Sequence, residues 1–354
     1  MKVSKTLKIV IVILALALIA LFFFSKPSSN TAADKFNLTG AGSTFAIPLL
    51  DACKAGYTTE TGNTYTYSGG GSGAGRTASD KGIGDFNFSD TPHTASSRGA
   101  NVIHVPAIAA PIAVMYNLQL GTPLKLSPAT VAGIFNGTIT KWNDPKIIAD
   151  NGSLSLPSQP IQVIYRSDAS GTSGNFTNFL YGMAPSVWTK PGSNDFKSSF
   201  PGNIDAQANI GRVVSAAGSS GVAALAGKTA NSITYAEMNY AQAAGLGVAS
   251  IKNAAGQYQQ PTAAGTSAFL GAASVDPNGF LTFDYSTSAA GAYPLGVVSY
   301  ALVDTKGKNA AAVKQFLSFV LDAKCVNANP ALGYSEITGT LRTLDLNQIA
   351  KIGA

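Results

Sequence analysis

The sequence predicts an α/β fold on three observations. Short apolar, β-branched runs recur along the chain, helical stretches alternate with them, and brief glycine- and proline-containing turns separate the two. In chain order, Ala46–Glu60 reads as a first helix and Tyr65–Tyr67 as a short strand after it. Ile103–Val105 and Ala113–Tyr116 read as two further strands, followed by a helix over Ser127–Phe135. Ile161–Tyr165 is a strand that runs straight into Arg166, and Val297–Val303 is an apolar strand near the end. Over Ala310–Leu321, Val313, Phe316, Leu317, Val320 and Leu321 fall on one face of a helix. The stretch Ala254–Asn278 is richer in Gly, Ala, Ser and Pro and reads as a long surface excursion. No internal repeat is visible.

The 354 residues suffice for two ordinary domains, and only 12% of them are charged, about half the usual share. The net charge of +6 is misleading, because Lys2, Lys5, Lys8 and Lys26 all precede the first acid, Asp34. Beyond residue 33 there are 20 basic against 18 acidic side chains and no basic cluster, so a nucleic-acid partner is not expected. The lysines flank an uninterrupted apolar run, Ile9–Phe24, and residues 1–33 read as a signal peptide or a retained membrane anchor. Either reading exports the rest of the chain. Cys53 and Cys325 are then exposed to an oxidising compartment, where a disulfide and two buried thiols stand as alternatives. His93 and His104, the only histidines, have no histidine or cysteine at ligand spacing, so neither a metal nor another cofactor is expected.

Three stretches have the chemistry of an anion socket. In T-G-A-G-S-T-F (39–45), glycines permit a tight turn, and Ser43 or Thr44 can cap the helix that follows. In Y-S-G-G-G-S-G-A-G (67–75), glycines let the backbone approach a ligand and Ser72 supplies a hydroxyl. In Y-R-S-D-A-S-G-T-S-G-N-F (165–176), Ser170, Gly171 and Thr172 begin a helix beside the permanent charge of Arg166, which Asp168 can hold in place. The unpaired N–H groups of a helix start, with the positive end of the dipole, favour an oxyanion. Each stretch alone also reads as an ordinary cap, turn or surface ion pair. A fourth stretch, G-V-A-A-L-A-G-K-T (221–229), fails as a phosphate-binding P-loop, because five residues rather than four precede G-K-T.

Taken together, the chain resembles the periplasmic phosphate-binding proteins of ABC-type phosphate importers. The resemblance is carried by L-T-G-A-G-S-T-F (38–45), E-T-G-N-T-Y-T-Y (60–67), D-F-N-F-S-D (85–90), I-F-N-G-T-I-T-K-W-N-D (134–144), R-S-D-A-S-G-T-S (166–173) and S-I-T-Y-A-E-M-N-Y-A (232–241). It implies a type II periplasmic-binding-protein fold, with two mixed α/β lobes, a hinge and a ligand cleft between them. One lobe would comprise 34–108 with 252–354 and the other 109–251, which puts both cysteines in the same lobe. It also implies a phosphate site of Thr44, Phe45, Ser72, Asp90, Arg166, Ser170, Gly171 and Thr172, supported by Ser43 and Asp168. The implied protein is a monomer in the periplasm or at the outer face of the cytoplasmic membrane, delivering inorganic phosphate to permease subunits. Ser43 and Ala46 depart from the residues the family often has there, alanine and proline.

Asp90 gives that implied site a selection rule. A carboxylate only accepts hydrogen bonds, so it suits an anion that still carries a proton, as phosphate does and sulfate does not. Other classes to weigh are a secreted phosphatase or esterase and a receptor for sulfate or molybdate. For the enzyme, Ser72 and Ser170 offer hydroxyls, but no histidine stands in a relay motif and no two-metal cluster is present in the sequence.

Overall fold

The computed structural model describes residues 35–93 and 99–354. The expected export segment, residues 1–33 with its apolar run Ile9–Phe24, lies outside the described residues, as does Asp34. Among the described residues, no helix is long and apolar enough to cross a membrane.

Nine strands form the main sheet among the described residues: β1 (Asn37–Gly42), β2 (Thr64–Ser68), β3 (Phe86–Ser89), β4 (Val102–Tyr116), β5 (Gln162–Arg166), β6 (Val213–Ala216), β7 (Ser232–Glu237), β8 (Gly247–Val248) and β9 (Gly296–Asp304). Their order is β2-β1-β3-β9-β4-β7-β5-β6, with β8 also pairing with β4. At one end β1 runs parallel to β2 and β3, and at the other β5 runs parallel to β6 and β7. The antiparallel strands β4 and β9 join these two parallel groups.

Strand β4 corrects the expectation of two separate strands at 103–105 and 113–116. Its first part, Val102–Pro111, pairs with β9, and its last part, Ile112–Tyr116, pairs with β7. Proline cannot donate to a ladder, and Pro106 and Pro111 make this run look interrupted in sequence. The first is accommodated by a register shift, because Pro106 faces Tyr300 while Ile108 faces Ser299. Such a bulge leaves Ala107 unpaired and re-aims its neighbours. The second lies where β4 changes partner.

Helices α1 (Ile47–Thr61), α2 (Ser72–Asp80), α3 (Pro128–Asn136), α4 (Gly171–Met183), α5 (Gly218–Lys228), α6 (Met238–Ala243) and α7 (Ala263–Leu270) lie among these strands in the chain, and α8 (Ala310–Val320) and α9 (Ala323–Asn327) follow the last of them. The face expected on α8 is buried, with Val313, Phe316, Leu317 and Val320 each at most 2% exposed. Phe316 meets Phe86 of β3 at a ring separation of 4.2 Å, within a cluster that includes Tyr57 and Tyr65. The other end of the sheet has its own aromatic centre, where Phe176 of α4 stacks on Tyr235 of β7 at 4.3 Å and Phe135 of α3 packs against both. The cysteines, left open above, form a disulfide between α1 and α9, with Cα atoms 5.6 Å apart. The expected surface excursion is partly structured: α7 falls inside 254–278 and buries Phe269.

Candidate functional site

Four helices start just beyond the carboxyl ends of parallel strands: α1 after β1, α2 after β2, α4 after β5 and α5 after β6. In an open α/β sheet these ends are where ligands gather, because loops and helix N-termini converge there. Among the described residues, the backbone N–H groups of Thr44, Ser72, Gly171 and Thr172 have no acceptor within the protein. They are donors left over by the geometry of helix starts.

The first two starts bring in Ser43, Thr44 and Ser72. Contrary to expectation, neither Ser43 nor Thr44 caps α1, whose N-cap residue is Ala46 with no side-chain cap bond. The Ser43 hydroxyl instead accepts from Phe45 N–H at 3.0 Å, and Thr44 Oγ1 lies 3.0 Å from Ser219 Oγ. Phe45 contributes only backbone here; its ring is fully buried and meets Tyr334 edge-on. On α2, the Ser72 hydroxyl donates to Asp90 Oδ2 at 3.2 Å and accepts from Asp90 N–H at 3.0 Å. Gly71, which precedes α2, has φ of +87°, a conformation that L side chains rarely adopt. A Cβ there would stand 2.4 Å from Asp168 Oδ2.

Asp90, 3% exposed, follows β3 and sits among hydroxyls. Ser299 of β9, opposite the bulge in β4, donates to its Oδ1 at 2.7 Å, while Thr172 Oγ1 lies 3.4 Å from its Oδ2. Burial pushes the Asp90 carboxyl up, and bonds from Ser43, Ser299 and Ser72, with the charge of Arg166, oppose that rise. The bonds from Ser72 and Thr172 are at the long, weak end of the O–H···O range, so both hydroxyls can turn to another acceptor at small cost.

From the other side, Arg166 ends β5 and is 2% exposed. Its Nε and Nη2 donate to the two oxygens of Asp168 at 2.7 and 2.5 Å, the fork geometry that fixes a guanidinium plane. Burial lowers the Arg166 guanidinium, but the adjacent Asp168 carboxylate outweighs it and holds the group above its ordinary value. Asp168 also accepts from Gly218 N–H at 2.9 Å, which ties the ion pair to the start of α5. The third guanidinium nitrogen, Nη1, donates to Ser219 Oγ at 3.0 Å. Ser170 caps α4 by accepting from Ser173 N–H. Gly171 fits closely: a Cβ there would lie 2.4 Å from Ser72 Oγ and 2.8 Å from Asp90 Cβ.

All the expected residues therefore lie around one locus, with Asp90 and Arg166 on facing sides. Gly73 N–H donates to Ala169 O at 2.8 Å and Asn175 Nδ2 to Asp90 O at 2.7 Å, which fastens the sides together. A cavity of about 440 Å³, lined in part by Asp90, Asn175, Tyr181 and Tyr285, lies beside Asp90.

Sequence reasoning missed Ser219, Glu237 and Ser299. Ser219 follows the same glycine-and-hydroxyl pattern as the other helix starts, in A-A-G-S-S-G (216–221), just ahead of the rejected P-loop stretch. Ser299 is a lone serine in the otherwise apolar and aromatic run V-V-S-Y (297–300). Glu237 is the one acid in a fully buried strand, and burial pushes its carboxyl up to about 7 despite Arg166 and Ser219 nearby.

The family model of the PBP superfamily domain matches residues 27–324. Phosphate-binding protein PstS 2 of Mycobacterium tuberculosis is 36% identical over 276 residues, covering 72% of this chain and 71% of that protein. Phosphate-binding protein PstS of Xylella fastidiosa (strain Temecula1) is 31% identical over 300 residues, covering 83% and 79%. Among solved structures, a high affinity periplasmic phosphate-binding protein (PfluDING) bound with phosphate shares the fold, with a TM-score of 0.70 and 24% identity over 87% of this chain and 92% of that one.

Proposed function

The chain belongs to the phosphate-binding proteins of the PBP superfamily, and from that premise we propose that it captures inorganic phosphate outside the cytoplasmic membrane for an ABC-type importer. The observation that carries the reading is a buried carboxylate, Asp90, set among hydroxyls and helix N-termini opposite Arg166. Phosphate's oxygens would take hydrogen bonds from Arg166, from the hydroxyls of Thr44, Ser72, Ser170 and Thr172, and from the N–H groups of Thr44, Ser72, Gly171 and Thr172, with Phe45 N–H joining them on leaving Ser43 Oγ. Its remaining proton would go to Asp90. Because the charge of Arg166 is largely matched by Asp168, affinity rests on many desolvated bonds to a charged ligand rather than on net charge.

Asp90 then decides between oxyanions. A ligand with no proton would set its lone pairs against those of the carboxylate, and a buried site left unpaired in this way rejects an analogue by about 10⁴-fold or more. Titrating wild type and Asp90→Asn with phosphate, sulfate and molybdate tests this. Wild type is expected to bind phosphate alone, and the variant to lose most of its preference; equal discrimination in both proteins would sink the assignment.

The lobes are proposed as 34–108 with 252–354, and 109–251. In support, β4 leaves β9 for β7 after Pro111, a little beyond the proposed crossing. Delivery to permease subunits, a monomeric state and an N-terminal signal or anchor complete the proposal. Binding without turnover is part of it: His93 pairs with Asp80 at 2.8 Å, and His104 Nε2 accepts from His93 N–H, so neither is set as a base for Ser72 or Ser170. Incubation with a phosphate monoester should release no alcohol.

A further inference from the structure

The site contains a second buried acid that the phosphate reading does not use. Glu237 ends β7, is 1% exposed, and sits opposite Ile112, where β4 has just changed partner. Its Oε1 lies 3.3 Å from Thr172 Oγ1, the same hydroxyl that lies 3.4 Å from Asp90 Oδ2. Thr172 has one hydrogen and two carboxylates to give it to. The other donors to Glu237 are its own backbone N–H and the Ser219 hydroxyl, which also stands 3.0 Å from Thr44 Oγ1. Oε2 of Glu237 is buried with no hydrogen-bond partner.

An ionised Glu237 would therefore be poorly served. It needs several donors, and the two hydroxyls within reach are shared with Asp90 and Thr44. A protonated carboxyl needs fewer donors around it and brings a donor of its own. If that O–H points at Thr172 Oγ1, the Thr172 hydrogen no longer has to serve Glu237 and can turn toward an anion. When ionised, Glu237 draws back the Thr172 and Ser219 hydrogens and adds negative charge beside the ligand.

We propose that Glu237 is a proton-coupled positioning residue, which takes up one proton as the anion binds and thereby releases Thr172 and Ser219 as donors to it. The inference rests on the phosphate reading of this site. The groups that face Glu237 are Arg166, with its partner Asp168, from the turn after β5, Asp90 beyond β3, Tyr240 on α6, and Tyr334. Arg166 favours the ionised form and Asp90 disfavours it. A bound anion adds to the side of Asp90, so its arrival favours protonation. The bound protein then holds more protons than the free protein, and by linkage affinity must fall as pH rises.

The test is calorimetric titration with inorganic phosphate, in buffers of different ionisation enthalpy, for wild type and Glu237→Gln. Glutamine keeps the shape and an N–H donor but cannot titrate. Well above the second ionisation of phosphate, wild type is expected to take up close to one proton per phosphate bound beyond the count for Glu237→Gln. Across the same range its affinity should fall by up to about tenfold per pH unit relative to the variant. In acid, where Glu237 is already protonated, the two proteins should agree. Identical proton counts and parallel pH profiles would overturn the proposal. So would a wild type that takes up no proton in the alkaline range, a result that needs no variant to fold. Wild type that binds no phosphate at any pH would instead overturn the reading of the site, and this role with it.

Discussion

The two sides of the site are built alike and charged differently. Each places two helix starts beyond parallel strands, α1 and α2 on one side, α4 and α5 on the other. The side that holds Thr44, Ser72 and Asp90 has no cation among those residues, and its acid is surrounded by neutral hydroxyls. The opposite side holds Arg166, already forked onto Asp168, and Glu237 behind Thr172. The comparison separates two tasks. Under the proposed function, one side would read whether the anion carries a proton, and the other would set the charge against which it is read. The acid proposed to take the ligand's proton, Asp90, and the cation Arg166 come from opposite sides.

The strongest way to break this picture is to keep both sides intact and prevent them from meeting. Gly171→Ala puts a methyl group 2.4 Å from Ser72 Oγ, where α4 meets the facing side. Phosphate affinity should fall on the order of 10²-fold, since misplacement by about an ångström costs that much in assembled sites. The urea midpoint should stay close to that of wild type, because no core residue changes. An unchanged affinity would mean that the two sides need not approach so closely.

Arg166→Ala attacks the charged side alone. Phosphate binding should weaken by more than tenfold, in line with about 1.5–3 kcal/mol for bonds to a charged group. It also leaves Asp168 without its partner, so stability should drop by about 3–5 kcal/mol in denaturant titration, the usual result of breaking a buried pair. Loss of stability with affinity retained would remove Arg166 from the site.

The smallest effect on binding is expected from the disulfide. Cys53→Ser with Cys325→Ser opens a link across 272 residues of sequence, between α1 and α9, and should cost about 2–5 kcal/mol of stability. Phosphate affinity, measured on the folded variant, should not move, because neither cysteine touches the hydroxyls around Asp90.

How much of this was legible depends on how local each signal is. Thr44, Ser72 and Thr172 sit in glycine-and-hydroxyl helix starts, which announce themselves in a few residues, and Arg166 and Asp168 are close enough in sequence to suggest a pair. Ser299 reaches the site through a bulge in a central strand, and a shift of one residue in register is not written in any short motif. The same bulge hid the continuity of β4, since Pro106 and Pro111 argue locally against a strand that the surrounding sheet nonetheless holds together. Glu237 was quoted within a matching segment but given no role, because what singles it out is burial beside Asp90 and Arg166, a property of the assembled sheet. The capping role expected for Ser43 or Thr44 failed for the opposite reason. Local propensity offered these hydroxyls to the helix, and contacts made far along the chain claimed Thr44 for Ser219.

Strand β4 belongs to both ends of the sheet at once. Part of any rotation of one end against the other would therefore be carried as torsion along this backbone. Its pairing on either side fixes which residues face which, so each cycle of opening and shutting would return Asp90 and Arg166 to the same mutual position. Reproducible aim would then be a property of the axle rather than of the gate.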